Sequence, residues 1–261
     1  MGRLKRIWDK DLQMEILEKE SRSAGREYAI MKRFNSPYIV KPAGCRERGE
    51  VSVLLLPYYP QRSADGIQGY CTERTVWKFL HDVASGLELV HSAGMVHSDI
   101  NPSNVIMDKS DFIISDFDGC HYLGEASDDL EKDEDSRYCN APEWTYDRSR
   151  VCIGSDIWSL GASAYLLLMG KPVFSGERGG RQNENTEIPS QLSGFSKKIS
   201  LLLRRCLDFN PDKRPSAEEI KEEAAGVLEV RLERKLKKAE LAQEFKYTES
   251  SADFWPEDMK E

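Results

Sequence analysis

Asp99, Asn104 and Asp116 carry the chemistry that the middle of the sequence could perform. Asp99 and Asn104 lie in H-S-D-I-N-P-S-N, directly after a long apolar-periodic segment, and Asp116 follows in S-D-F-D-G. Between the two clusters, VIMD-KSD-FIIS reads as two short strands joined by a turn. Such a hairpin would bring Asn104 and Asp116 together on one side. A carboxylate and an amide oxygen are hard donors, suited to Mg²⁺ shared with phosphate groups. Asp99 would then sit beside the ion without binding it, placed to accept a proton from a hydroxyl that attacks phosphorus.

The flanking segments must supply the scaffold. TERTVWKFLHDVASGLELVHSAG is expected to be a helix, with Val76, Phe79, Leu80, Val83, Leu87 and Val90 at helical spacing and Gly94 at its end. Upstream, RLKRIW reads as a short strand, residues 10–34 as a charged helix with Ile16, Leu17, Ala29 or Ile30, and Phe34 on its apolar stripe, and VSVLLLPYYP as a buried strand ending at Pro57. Downstream, DIWSLGASAYLLLMG reads as a buried helix, too short for the ~20 residues that span a bilayer. EASDDLEKDEDS is expected to be an exposed acidic loop and SGERGGRQNENTE a mobile connection. From Ser216 the pattern is a long charged helix reaching to near Tyr247. A little β structure followed by a mostly helical body gives an α+β chain with a cleft between a small and a large lobe.

Bulk properties narrow the partners. At 261 residues the chain can bury a core without staples. A net charge of −8 argues against a general nucleic-acid or anionic-membrane binder. Six scattered Cys without a CxxC pair give no metal-ligand spacing and read as reduced thiols of a cytoplasmic protein. The N-terminal MGRLKRIWDKD lacks the apolar core of a secretory leader.

Six segments together resemble a eukaryotic-type protein kinase. H-S-D-I-N-P-S-N resembles the catalytic loop H-R-D-L-x-x-x-N, and D-F-D-G resembles D-F-G. Ala141-Pro142-Glu143 resembles A-P-E, SDIWSLGASAYLLLMGKPVF the buried helix after it, and CLDFNPDKRPSAEEI the last block, whose Arg214 pairs in the family with the Glu here at 143. REYAIMKRFNSPYIVKPAG resembles the αC helix and the segment after it. The resemblance implies a two-lobed fold: a reduced N-lobe over 1–57, a helical C-lobe over 58–227 and a charged helical tail over 228–261. It implies ATP and Mg²⁺ as cofactors, Asp99 as base, and Asn104 and Asp116 as metal ligands. It nominates Glu27 as the αC glutamate, paired with a strand lysine for which Lys5 is the candidate and Lys10 the alternative. Leu56, Pro57 and Tyr59 resemble the segment along adenine, Ile106 the apolar residue beneath it, and His97, Phe117 and Met31 members of the apolar spine.

The sequence departs from the family at several points. No Gly-rich loop is recognisable before Lys5. Ser98 stands where the family has Arg, Asn101 where Ser/Thr kinases have Lys, and Asp118 where D-F-G has Gly. With the three central polar residues intact, the expected activity is transfer of the ATP γ-phosphate to Ser or Thr hydroxyls of a protein substrate. The departures support an alternative, a pseudokinase or regulatory module that binds an activating protein partner.

Overall fold

The computed structural model of this chain describes residues 3–125, 138–146, 151–174 and 192–229. Arg3–Asp9 (β1) and Met14–Ser21 (β2) form an antiparallel hairpin. Asp9 closes its turn by accepting hydrogen bonds from Asp11 N and Leu12 N, each at 2.9 Å. After the helix Ala24–Met31 (α1), Gly44–Arg48 (β3) and Val51–Pro57 (β4) complete a four-stranded sheet of order β1-β2-β4-β3.

The expected helix over 10–34 is therefore corrected to a turn, a strand and a short helix. Glu18, Lys19 and Glu20 suit a helix surface, but β2 lies between β1 and β4, and both edges of its backbone are paired. Tertiary pairing outweighs the local preference. The charges are tolerated because each buried one has a partner: Glu18 takes Arg48 Nη2 at 3.0 Å, and Lys19 takes Glu27. Strand β3, GCRER, carries no alternating apolar pattern and gave no sequence signal.

The large lobe is helical. Glu73–Ser92 (α2) starts at Thr72, whose hydroxyl accepts from Thr75 N at 3.2 Å. Two short ladders follow: Met95–Val96 (β5) pairs with His121–Tyr122 (β8), and Val105–Asp108 (β6) with Asp111–Ile114 (β7). Pro142–Tyr146 (α3), Ile153–Met169 (α4), Lys197–Cys206 (α5) and helical residues 217–229 complete the described lobe.

Helix α2 sets the height of the β6–β7 hairpin. Buried Asp82 accepts from Phe112 N at 3.0 Å. At Gly86 a Cβ would meet Ile114 Cδ1 at 2.7 Å and Tyr38 O at 3.0 Å, so only glycine lets strand and helix approach this closely. The two segments read as exposed connections fall largely outside the described residues, as does the chain after 229.

Candidate active site

The loop 97–104 leaves β5 and is pinned at its start by Asp156 of α4. The Asp156 carboxylate accepts from His97 N and Ser98 N, both at 2.8 Å, and pairs with His91 Nε2 at 2.9 Å. Burial opposes its charge, but His91 and these N–H donors prevail and hold its pKa below the ordinary carboxylate value. They also hold Ser98 at φ +66°, a left-handed conformation that costs a non-glycine residue about 1–2 kcal/mol.

Further along, the Asn101 side chain caps the short turn Pro102–Asn104. Asn104 then reaches back: its Nδ2 donates to Asp99 O at 2.9 Å and to Asp99 Oδ2 at 2.7 Å. The hairpin returns the chain to the same place, where Ser115 N and Ser115 Oγ both donate to Asn104 O, at 2.9 and 2.8 Å. Asp116 follows at φ +60°.

From above, Lys19 Nζ bridges Asp116 Oδ1 at 2.7 Å and the Glu27 carboxylate at 2.8 and 3.0 Å. Glu27 Oε1 also accepts from Phe117 N at 3.1 Å, tying α1 to the end of the hairpin. Burial works against the Lys19 ammonium, yet the carboxylates of Asp116 and Glu27 outweigh it and raise its pKa. Burial pushes Glu27 up to about 7, with the negative charge of Asp116 adding to it against the pull of Lys19. Below lies an apolar column: His97 meets Phe117 edge-on at 4.7 Å between ring centroids, and Met31 is fully buried in the same core.

Asp99, Asn104, Asp116 and Glu27 thus converge, whereas Lys5 does not join them. Lys5 lies opposite Glu18 on β1, and directly opposed residues share a face; Lys19, one residue on from Glu18, points to the other. Lys10 is exposed in the β1–β2 turn. The residue beside Glu27 is Lys19, hidden from sequence reading because the charges of its strand fit a helix surface. The M-E-I-L-E-K run, bounded upstream by the turn former D-K-D, was the available signal. With the lysine at 19, Leu17 is the side chain two residues before it on the same face, opposite Leu56. Leu56, Pro57 and Tyr59 line the exit of β4, and Ile106 is half-buried on β6 below. Pro57 lacks an N–H but keeps its carbonyl.

The donor set fits a magnesium ion. Asn104 spends its amide nitrogen on Asp99 and keeps its carbonyl oxygen, while the Asp116 side chain is 40% exposed. Magnesium takes one or two protein oxygens and completes its shell with phosphate and water. Among the described residues no cluster of three or more His, Cys, Asp or Glu forms a metal cage.

Two buried groups make this region pH-sensitive in opposite senses. Burial holds His97 below its ordinary 6.5, so the unfolded chain protonates first and stability falls as pH drops below 6.5. Glu27 is raised from 4.5 to about 7, so the native state takes that proton first and gains stability as pH falls through this window. Urea midpoints at about pH 7.5 and about pH 5.5 separate the two effects. Over that fall in pH, His97→Gln is expected to lose less stability than the wild type, and Glu27→Gln more.

A lysine tied to a helix glutamate thus faces a loop that joins an aspartate to an asparagine, in a cleft between the small sheet lobe and the helical lobe. Residues 8–224 match the family model of the protein kinase domain, and the chain belongs to that family. It is 26% identical over 211 residues to "Mitogen-activated protein kinase kinase kinase YODA" of Arabidopsis thaliana, covering 77% of this chain and 23% of that protein. It is 28% identical over 203 residues to "Serine/threonine-protein kinase pim-2" of Danio rerio, covering 75% and 56%. A "Wee1-like protein kinase" of Oryza sativa subsp. japonica is 32% identical over 149 residues, covering 55% and 27%. The chain thus spans between 23% and 56% of the length of these relatives.

Proposed function

We propose that this chain is an ATP-dependent protein kinase that transfers the γ-phosphoryl group to Ser or Thr hydroxyls of a protein substrate. The observation that carries the reading is the bridging position of Lys19 between Glu27 and Asp116, beside the bonded pair Asp99 and Asn104. In this reading Asp99 accepts the proton of the attacking hydroxyl. Asn104 and Asp116 hold Mg²⁺, which when bound offsets negative charge on the phosphates. Lys19 contacts the phosphates, Glu27 orients Lys19, and adenine lies along Leu56, Pro57 and Tyr59 above Ile106. Six free thiols suit the reducing cytoplasm. No helix among the described residues is long and apolar enough to cross a membrane.

Two measurements test this reading. MgADP is expected to raise the melting temperature of the wild type, and the Mg²⁺-dependent part of that shift to disappear in Asp116→Asn. The absence of any nucleotide-dependent shift would favour the regulatory module instead. In turnover assays, Lys19→Met is expected to lose about 100-fold or more, the scale of removing one preorganised electrostatic group, while Lys5→Met stays within about twofold, as a side chain away from the cleft should. Equal losses at the two lysines would reject the assignment of Lys19.

A further inference from the structure

The loop 97–104 contains no Lys or Arg, and its one imidazole, His97, is buried with its pKa held down by that burial. Where the resemblance leads one to expect a cation, the chain has Asn101, only 5% exposed. Asn101 has an extended backbone, and both its amide oxygen and its amide nitrogen are bonded. Its Oδ1 accepts from Ser103 N at 3.0 Å and from Asn104 N at 3.2 Å, and its Nδ2 donates to Asp99 O at 3.2 Å. The amide orientation follows from chemistry, since the flipped group would set an NH₂ against two N–H donors. One side chain therefore touches the backbone of both Asp99 and Asn104.

We propose that Asn101 is a positioning residue that fixes Asp99 relative to Asn104, and that the loop works by this cap rather than by a charge on the transferred phosphate. The proposal rests on the phosphoryl-transfer reading above. Lysine has three donors and no acceptor, so it could not satisfy the two N–H groups that Asn101 now holds. Alanine removes the acceptor and leaves both N–H groups without their side-chain partner. Serine, short and uncharged, restores a capping oxygen.

The test combines amide hydrogen exchange at Ser103 and Asn104, in the protein without nucleotide, with steady-state kinetics. Asn101→Ala is expected to speed exchange at Ser103 N by about tenfold or more, and by less at Asn104 N, which keeps its 3.1 Å bond to Asn101 O. It should lower kcat by about 10- to 100-fold, the scale of a sub-ångström to 1 Å misplacement of reacting groups, with the KM for ATP changed less than about threefold. Asn101→Ser should recover part of both effects, and Asn101→Lys should do no better than alanine. Unchanged exchange in Asn101→Ala, or a kcat at or above wild type in Asn101→Lys, overturns the proposal. A wild type without turnover instead defeats the transferase reading; the exchange data then decide the positioning role alone, faster exchange supporting it and unchanged exchange refuting it.

Discussion

Asp99→Asn is expected to lower kcat by roughly 1,000-fold while the Kd for MgADP stays within about threefold, because a general base contributes about 10²–10⁴-fold and takes no part in holding nucleotide. The substitution isolates the proton. An asparagine at 99 keeps a carbonyl oxygen that can accept from Asn104 Nδ2, as Asp99 Oδ2 does at 2.7 Å. The loop keeps its shape, since its other bonds run through the Asp99 carbonyl, which accepts from Asn104 and Asn101. The capacity to take up a proton is lost, together with the carboxylate's charge. Intact-mass measurement of autophosphorylation, followed by turnover on a peptide acceptor, gives the ratio. Activity within tenfold of wild type would remove Asp99 from its role as base.

The largest expected effect on stability lies away from the cleft. Arg214 is 7% exposed, and its Nη1 and Nη2 meet the Glu143 carboxylate at 2.6 and 3.0 Å. Arg214 also donates to Asp208 O and Gly154 O, each at 2.8 Å, and its guanidinium lies over Trp158 at 5.0 Å from the ring centroid. Ser155 Oγ adds a 2.7 Å bond to Glu143. Removing one member strands a buried charge and several carbonyls, so Arg214→Met is expected to cost about 3–5 kcal/mol. For a domain of this size that corresponds to a melting temperature lower by roughly 6–20 °C. The double variant Glu143→Leu/Arg214→Met should recover part of the loss, because apolar groups of similar volume do not need the partners that an ion does. A double variant no more stable than Arg214→Met would show that the hydrogen bonds to carbonyls, rather than the stranded charge, dominate.

The helices and the β6–β7 hairpin were legible because their signals are local. Val76 to Val90 repeat at helical spacing behind a threonine cap, and VIMD and FIIS are short apolar runs around a turn. The polar residues of the loop and hairpin could be read as one centre because the fold that joins them is itself local. The small lobe was not legible in this way. The charges of β2 mimic a helix, and what makes it a strand is pairing with β4, more than thirty residues downstream. Misreading that strand moved the expected lysine to position 5. The roles of Asp156 and Asn101 escaped for a related reason: each acts on backbone N–H groups, which leave no mark in a pattern of side-chain types.

The double attachment of Lys19 has a thermodynamic consequence. Its ammonium already serves Asp116 as a counter-ion at 2.7 Å. A bare divalent cation arriving at that carboxylate meets a positive neighbour and gains little. Were the polyphosphate of a nucleotide present, Lys19 would have a second anion to turn to, and the Asp116 carboxylate would be free to hold the metal. Metal and nucleotide should therefore each raise the affinity for the other by one and the same factor.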